Sequence, residues 1–307
     1  MEKEEVNSTS SGSVPRFQRV FPADWAALFI LLIVTVTLGI SSLSGAQVKG
    51  WFLVHLAIFS AYCALTVVLS QNIGQTWVPM VRAAAIIAVM FGLYSTLGQA
   101  VFAAVPWNGD PTLDMLDTWL FAGTTPALWA ERFASYGTVE FFSFCYGFFI
   151  PYLYLSILTG LIGRPGRERR RFITGFAVLY AVSFLGYLFV PAKGPIVQNA
   201  AEFAVPLSGG VFHGMVLHVI ESAGGPHGAF PSLHVGAAAY ACLFDWRYNR
   251  LRSATYLPLV ILIALATVLL RYHYVIDWLA GLMFAGFAFW SSHAWTSRWE
   301  MDNGWAP

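Results

Sequence analysis

Three features of the sequence predict an all-α polytopic membrane protein. The 307 residues are 57% hydrophobic and 11% charged, with a mean hydropathy of +0.63, where soluble domains carry roughly 25% charged residues. Apolar runs of about 20 residues, the length that spans a bilayer, recur eight times. The runs lack the alternation of barrel strands, which leaves the helix as the structure that satisfies its own backbone in hydrocarbon. A formal net charge of +1 provides no basic stripe for nucleic acid.

In chain order, residues 1–22 are polar and of mixed charge, which reads as a disordered cytoplasmic tail and not as a cleavable leader. Spans are expected near 24–43, 51–70, 81–104, 138–162, 172–191, 232–246, 254–270 and 276–296, with a second cytoplasmic tail at 297–307. The sixth is short and carries His234 near its start. Placing both termini in the cytoplasm puts thirteen of the seventeen Lys and Arg on that side and leaves Lys49, Arg132, Lys193 and Arg271 on the other. That division follows the positive-inside rule.

Small residues in the third span, Gly92, Ser95 and Gly98, permit close helix contact, and Pro151 should kink the fourth. The two long connections, Pro106 to Gly137 and Pro191 to Pro231, fall on the extracytoplasmic face. In the first, Asp110 and Pro111 mark a helix start, and Leu113, Leu116, Trp119 and Leu120 form an apolar face expected to lie flat in the interface. Asp114 and Asp117 read as its solvated face, with guidance of a substrate head group as the alternative. Glu140 reads as an interfacial carboxylate in water, with a basic partner as the alternative. Cys63, Cys145 and Cys242 lie inside apolar runs and read as packing residues.

Ionisable groups in so apolar a chain are costly unless they are used, so a cluster of them marks a functional site. The cluster is the stretch from Gly225 to Asp277. His273 and Asp277 are four apart, a spacing that sets them on one helix face. A carboxylate on one ring nitrogen fixes the tautomer of a histidine and leaves the other nitrogen as base or nucleophile. Ser232 is a good helix cap after Pro231, and a helix start with a cap hydroxyl and free amides suits an anion. His234 sits in that first turn, while Gly224, Gly225 and Gly228 allow close backbone approach. The topology returns both halves to one face with Arg271 and Lys193. Two cations, two histidines and an orienting aspartate suit phosphoryl transfer, where positioning and charge stabilisation provide most of the catalysis. His227 and Tyr272 are candidate pocket residues. His213 and His218 have no set of carboxylates or cysteines around them, which argues against a metal, and His55 and His293 read as structural. A transporter would call for inverted repeats and a polar cluster at the midplane, and the sequence has neither feature.

The residues FPSLH at 230–234 and RYHYVID at 271–277 resemble the second and third signature motifs of the type 2 phosphatidic acid phosphatase superfamily. The leucine between Ser232 and His234, and the form HYVID, are most similar to its inositol phosphorylceramide synthase-like branch. The resemblance implies a six-helix-type catalytic membrane core at 138–296, preceded by N-terminal spans and an interfacial loop at 23–137. It implies that His273 attacks phosphorus to give a phosphohistidine, that Asp277 orients it, and that His234 protonates the leaving group. Ser232 and the amides around Gly228 would hold phosphate oxygens. It implies no metal or other cofactor. The partners would be membrane lipids: a phosphorylated donor, and a lipid alcohol or water as acceptor.

Two departures stand out. The phosphatases carry an arginine six positions before the nucleophilic histidine, where this chain has Thr267, so either Arg271 serves instead or the contact is lost. Their first motif, a lysine followed after six residues by Arg-Pro, is absent, and Lys193 is the expected substitute. Arg164 and Pro165 form the one Arg-Pro pair, on the cytoplasmic side of the expected topology.

Overall fold

The computed structural model describes residues 20–305; the expectation for the tail at 1–19 lies outside them. Thirteen α-helices follow one another among the described residues: α1 (Pro22–Leu43), α2 (Lys49–Gln71), α3 (Val78–Ala104), α4 (Asp110–Leu120), α5 (Pro126–Ala130), α6 (Tyr136–Gly147), α7 (Phe149–Leu161), α8 (Gly166–Phe189), α9 (Pro195–Gln198), α10 (Val211–Ser222), α11 (Leu233–Tyr248), α12 (Arg250–Leu269) and α13 (Val275–Asp302). No strand occurs among them.

Among the described residues, seven segments are long and apolar enough to cross a membrane, with α6 and α7 together forming the fourth. The sequence predicts eight. The missing one is α11, whose 16 residues rise about 24 Å, short of a hydrocarbon core of about 30 Å. Its residues from Val235 to Cys242 are all buried, so protein, and not lipid, surrounds most of it. A helix with protein neighbours has no need of the full bilayer length.

The helix that organises the bundle is α8. In its most apolar window 83% of the residues are buried, against 22% in α2. It packs against α1, α3, α7, α11 and α13, whereas α2 leans on α1 and α3 at the edge. One continuous apolar cluster runs from Phe21 to Trp299, so the N-terminal spans and the region after residue 138 share a core. The break between α6 and α7 falls at Phe148. Pro151 explains it, because proline has no N–H for the carbonyl of Gly147, four residues back, and its ring crowds that carbonyl.

Candidate active site

His273 lies just before α13, in a tight turn out of α12. The amides of Tyr272 and His273 both donate to the carbonyl of Thr267, at 2.8 and 3.1 Å. The turn requires Arg271 at φ 68°, a left-handed conformation that costs a non-glycine residue about 1 kcal/mol or more. His273 Nδ1 is 2.8 Å from the carbonyl oxygen of Ala229 and 3.3 Å from Asp277 Oδ2. Both partners accept, so Nδ1 carries the proton and Nε2 keeps its lone pair. Nε2 in turn is 3.3 Å from His234 Nδ1. Burial lowers the pKa of His273 to about 4, with the Ala229 bond opposing the shift, so the ring is neutral near pH 7. Asp277 Oδ2 also accepts from the amide of Tyr274 at 2.9 Å, which ties the carboxylate to the first turn of α13.

His234 is placed by the start of α11, where Ser232 Oγ accepts from the amide of Val235 at 3.4 Å. The imidazole stacks on Tyr146 with ring centres 4.5 Å apart and meets Phe149 at 4.6 Å. Both rings come from the broken fourth segment. The two halves of the motif therefore meet, although His234 and His273 are 39 residues apart. The close approach of α11 and α13 depends on Gly281, where a Cβ would sit 2.6 Å from the carbonyl oxygen of Ser232.

These groups open onto a cavity of about 590 Å³ with mainly apolar walls. Lys193, His227, Gly228 and Tyr272 line it together with His234 and His273. The Lys193 ammonium faces the ring of Phe102 at 5.0 Å. Gly228 has φ 66°, and a Cβ there would come 3.0 Å from the Tyr187 ring. His227 Nδ1 is held by the carbonyl of Gly225 at 2.8 Å, and its Nε2 is buried without a hydrogen-bond partner. The tight seat of His227 explains Gly98, where a Cβ would lie 2.0 Å from Nε2.

Two expected site residues are placed elsewhere. Ser232 is fully buried and does not line the cavity; its hydroxyl serves the helix start. Arg271 also lies outside the lining. Its guanidinium donates to the carbonyl of Val205 at 2.6 Å, stands 3.6 Å from Glu131 and covers the Phe203 ring at 3.7 Å. The left-handed turn at Arg271 accompanies this orientation. The Arg-Pro pair is remote: Arg164 bonds Asp245 and Glu168 at the start of α8, about 36 Å of helix from Lys193 beyond its end. His55, His213 and His293 are engaged by Thr96, Ser143 and Tyr248 respectively.

The acidic residues of the loops do more than the sequence suggests. Asp117 is not part of a solvated face. It is buried in α4 and accepts from the amides of Val275 at 2.8 Å and Ile276 at 2.9 Å, which caps α13 from another helix. Asp110, also buried, accepts from the amides of Lys193 and Gly194, both at 2.8 Å, and from the Tyr274 hydroxyl at 3.1 Å. Burial raises the pKa of both carboxyls, and their amide bonds oppose the rise. The face of α4 toward the protein thus carries Asp110, Leu113 and Asp117, while Leu116, Trp119 and Leu120 are exposed. Glu140 holds the start of α10 in the same manner, through the amides of Gly210, Phe212 and His213 at 2.6, 2.8 and 3.1 Å. The sequence signal for the α4 pair was their spacing of seven, which returns both to one face of a helix.

A family model described as the PAP2 superfamily matches residues 111–291, a stretch that begins in α4 and contains both histidines. No curated protein matches the chain, and no solved structure does. The match covers more than half of the sequence, and the chain belongs to the PAP2 superfamily.

Proposed function

We propose that this protein is an extracytoplasmic lipid phosphotransferase that passes a phosphate-bearing head group from a donor lipid to a lipid alcohol through a phosphohistidine on His273. The observation that carries the reading is the unprotonated Nε2 of His273, facing His234 Nδ1 at 3.3 Å at the end of an apolar cavity of about 590 Å³.

In the first half-reaction Nε2 attacks phosphorus and the bond from phosphorus to the leaving oxygen breaks. His234 gives that oxygen a proton. The Nδ1 proton stays on His273, where Ala229 and Asp277 stabilise the cationic phosphohistidine. In the second half-reaction the acceptor hydroxyl loses its proton to His234 and attacks phosphorus, and the bond to Nε2 breaks. The two rings touch directly, so entry of the phosphoryl group requires them to part. Lys193, at the cavity wall, supplies positive charge for the phosphate oxygens. Phe148, Ile150 and Pro151 also line the cavity, which supports entry of a lipid from the side at the helix break.

The PAP2 superfamily groups lipid phosphatases with phosphotransferases, and the same residues with water as acceptor would make a phosphatase of lipid or polyprenyl phosphates. The apolar walls favour an alcohol with an acyl or prenyl tail, and the HYVID form resembles the inositol phosphorylceramide synthase-like branch. The test is to incubate purified protein with labelled phosphatidylinositol, phosphatidic acid or a prenyl pyrophosphate, with and without a lipid alcohol. A labelled lipid product that forms only with the alcohol supports transfer; release of the same water-soluble product at the same rate in both conditions replaces it with hydrolysis.

A further inference from the structure

At the end of the bundle opposite the histidines, a second cavity of about 40 Å³ lies between α1, α3, α7, α8 and α13. Arg82, Arg169 and Arg170 line it, with Gly166 at the start of α8 and the indoles of Trp299 and Trp305. The polar side chains among its lining residues, three arginines and two tryptophans, are donors. The side chain of Arg82 is 94% buried, since only 6% of it is exposed, and its Nη2 has no hydrogen-bond partner. Trp299 Nε1 is likewise buried and unpartnered. A buried donor left without an acceptor is costly, and both residues that carry these donors line the cavity.

The neighbouring carboxylates are already engaged. Asp24 takes Arg82 Nε at 2.8 Å and the Tyr62 hydroxyl at 3.0 Å. Glu300 takes Arg170 through Oε1 at 2.5 Å, and its Oε2 stands 3.1 Å from Arg167 Nε in an ion pair without a hydrogen bond. Arg169 makes no ion pair among the described residues. α8 is 24 residues long and has no side-chain cap at its start, so the positive end of its dipole adds to the arginines. A space with room for about three waters, bordered by guanidinium and indole donors, suits the oxygens of one tetrahedral oxyanion.

We infer that this cavity is a second, non-catalytic anion site that takes a phosphate group. The group can come from a phospholipid in the adjoining leaflet or from soluble phosphate, and the chemistry of recognition is the same. The inference does not depend on the catalytic reading of His273.

The test compares thermal unfolding of purified wild-type protein, Arg169→Gln and Trp299→Phe in neutral detergent. Arg82 is left unchanged, because its loss would strand buried Asp24. One arm titrates inorganic phosphate against sodium chloride of equal ionic strength. The other adds phosphatidylglycerol against phosphatidylcholine. Ligand that binds the native state raises the midpoint, and a rise of a few degrees in wild type, with at least half of it lost in both variants, is the expected result. A rise with inorganic phosphate identifies a soluble anion as sufficient; a rise with phosphatidylglycerol alone identifies the lipid. No rise in either arm, or a rise kept in either variant, overturns the site, since phosphate held at the catalytic histidines would survive both substitutions. Turnover of the lipid substrate, measured on the same samples, stays at the wild-type rate, which separates failure of this site from failure of the catalytic proposal.

Discussion

Acidic side chains at the two ends of the bundle do opposite work. At the end with His273, Asp110, Asp117 and Glu140 accept from backbone amides of remote segments. At the other end, Asp24, Asp245 and Glu300 bond to guanidinium groups. An amide has a fixed place in the chain, so a carboxylate bound to two successive amides fixes the path of a loop or the start of a helix. A guanidinium on a long side chain fixes much less of the backbone but ties helices together. The end with the two histidines thus gains shape while spending little positive charge, and the far end gains cohesion with arginines to spare.

The comparison predicts that substitutions at the two ends separate activity from stability. Asp277→Asn should lower turnover most, about 10²-fold, because the carbonyl of Ala229 still holds the Nδ1 proton; an unchanged rate would remove Asp277 from the mechanism. Asp245→Asn removes the only ion-pair partner that Arg252 has among the described residues and one of the two of Arg164, which keeps Glu168, so a loss of roughly 2 kcal/mol of stability is expected. Thermal unfolding checks this, and turnover of the protein that remains folded should be near normal.

Asp117→Asn keeps one acceptor of two, so it should cost about 1–2 kcal/mol and also lower kcat several-fold, since it caps the helix that carries Asp277. A stability loss with unchanged kcat would place Asp117 with the far-end carboxylates instead.

That the motif histidines and Asp277 lie together was legible because they are ionisable groups in an apolar chain, at spacings that a helix or a returning helix brings together. The span count was legible to within α11, which burial excuses from bilayer length. The carboxylate clamps were not. Their partners lie 83, 158 and 70 residues away and are backbone amides, which nearly every residue possesses and no side-chain pattern reveals. The Ala229 carbonyl that shares Nδ1 was hidden for the same reason. Arg271 was legible as a charge near His273, but its direction, toward Val205 and Glu131, accompanies a left-handed φ that the sequence does not announce.

Two smaller effects sharpen the contrast. Burial depresses the pKa of His273 to about 4, below its unfolded value near 6.5. The unfolded chain therefore binds the proton first as pH falls, and this residue's contribution to stability declines between those two values and levels off below about 4. The same shift keeps the nucleophile neutral, so single-turnover phosphoenzyme formation with a phosphodiester donor should hold its rate from about pH 7 to about pH 5; a fall centred near 6.5 would mark an ordinary solvated histidine. Arg271→Gln should change turnover least, by under roughly 10-fold, because the guanidinium is bound to Val205 and Glu131; a loss of about 10³-fold would show that it swings into the site when substrate is bound.

The most direct test of the account is to trap the intermediate. Wild-type protein is mixed with a labelled donor in the absence of acceptor, quenched in base, where phosphohistidine survives, and mapped by mass spectrometry. The account predicts phosphate, or the phosphate-bearing head group, on Nε2 of His273, and none in His273→Ala. Label on His234 or on another side chain, or full turnover by folded His273→Ala, would contradict it.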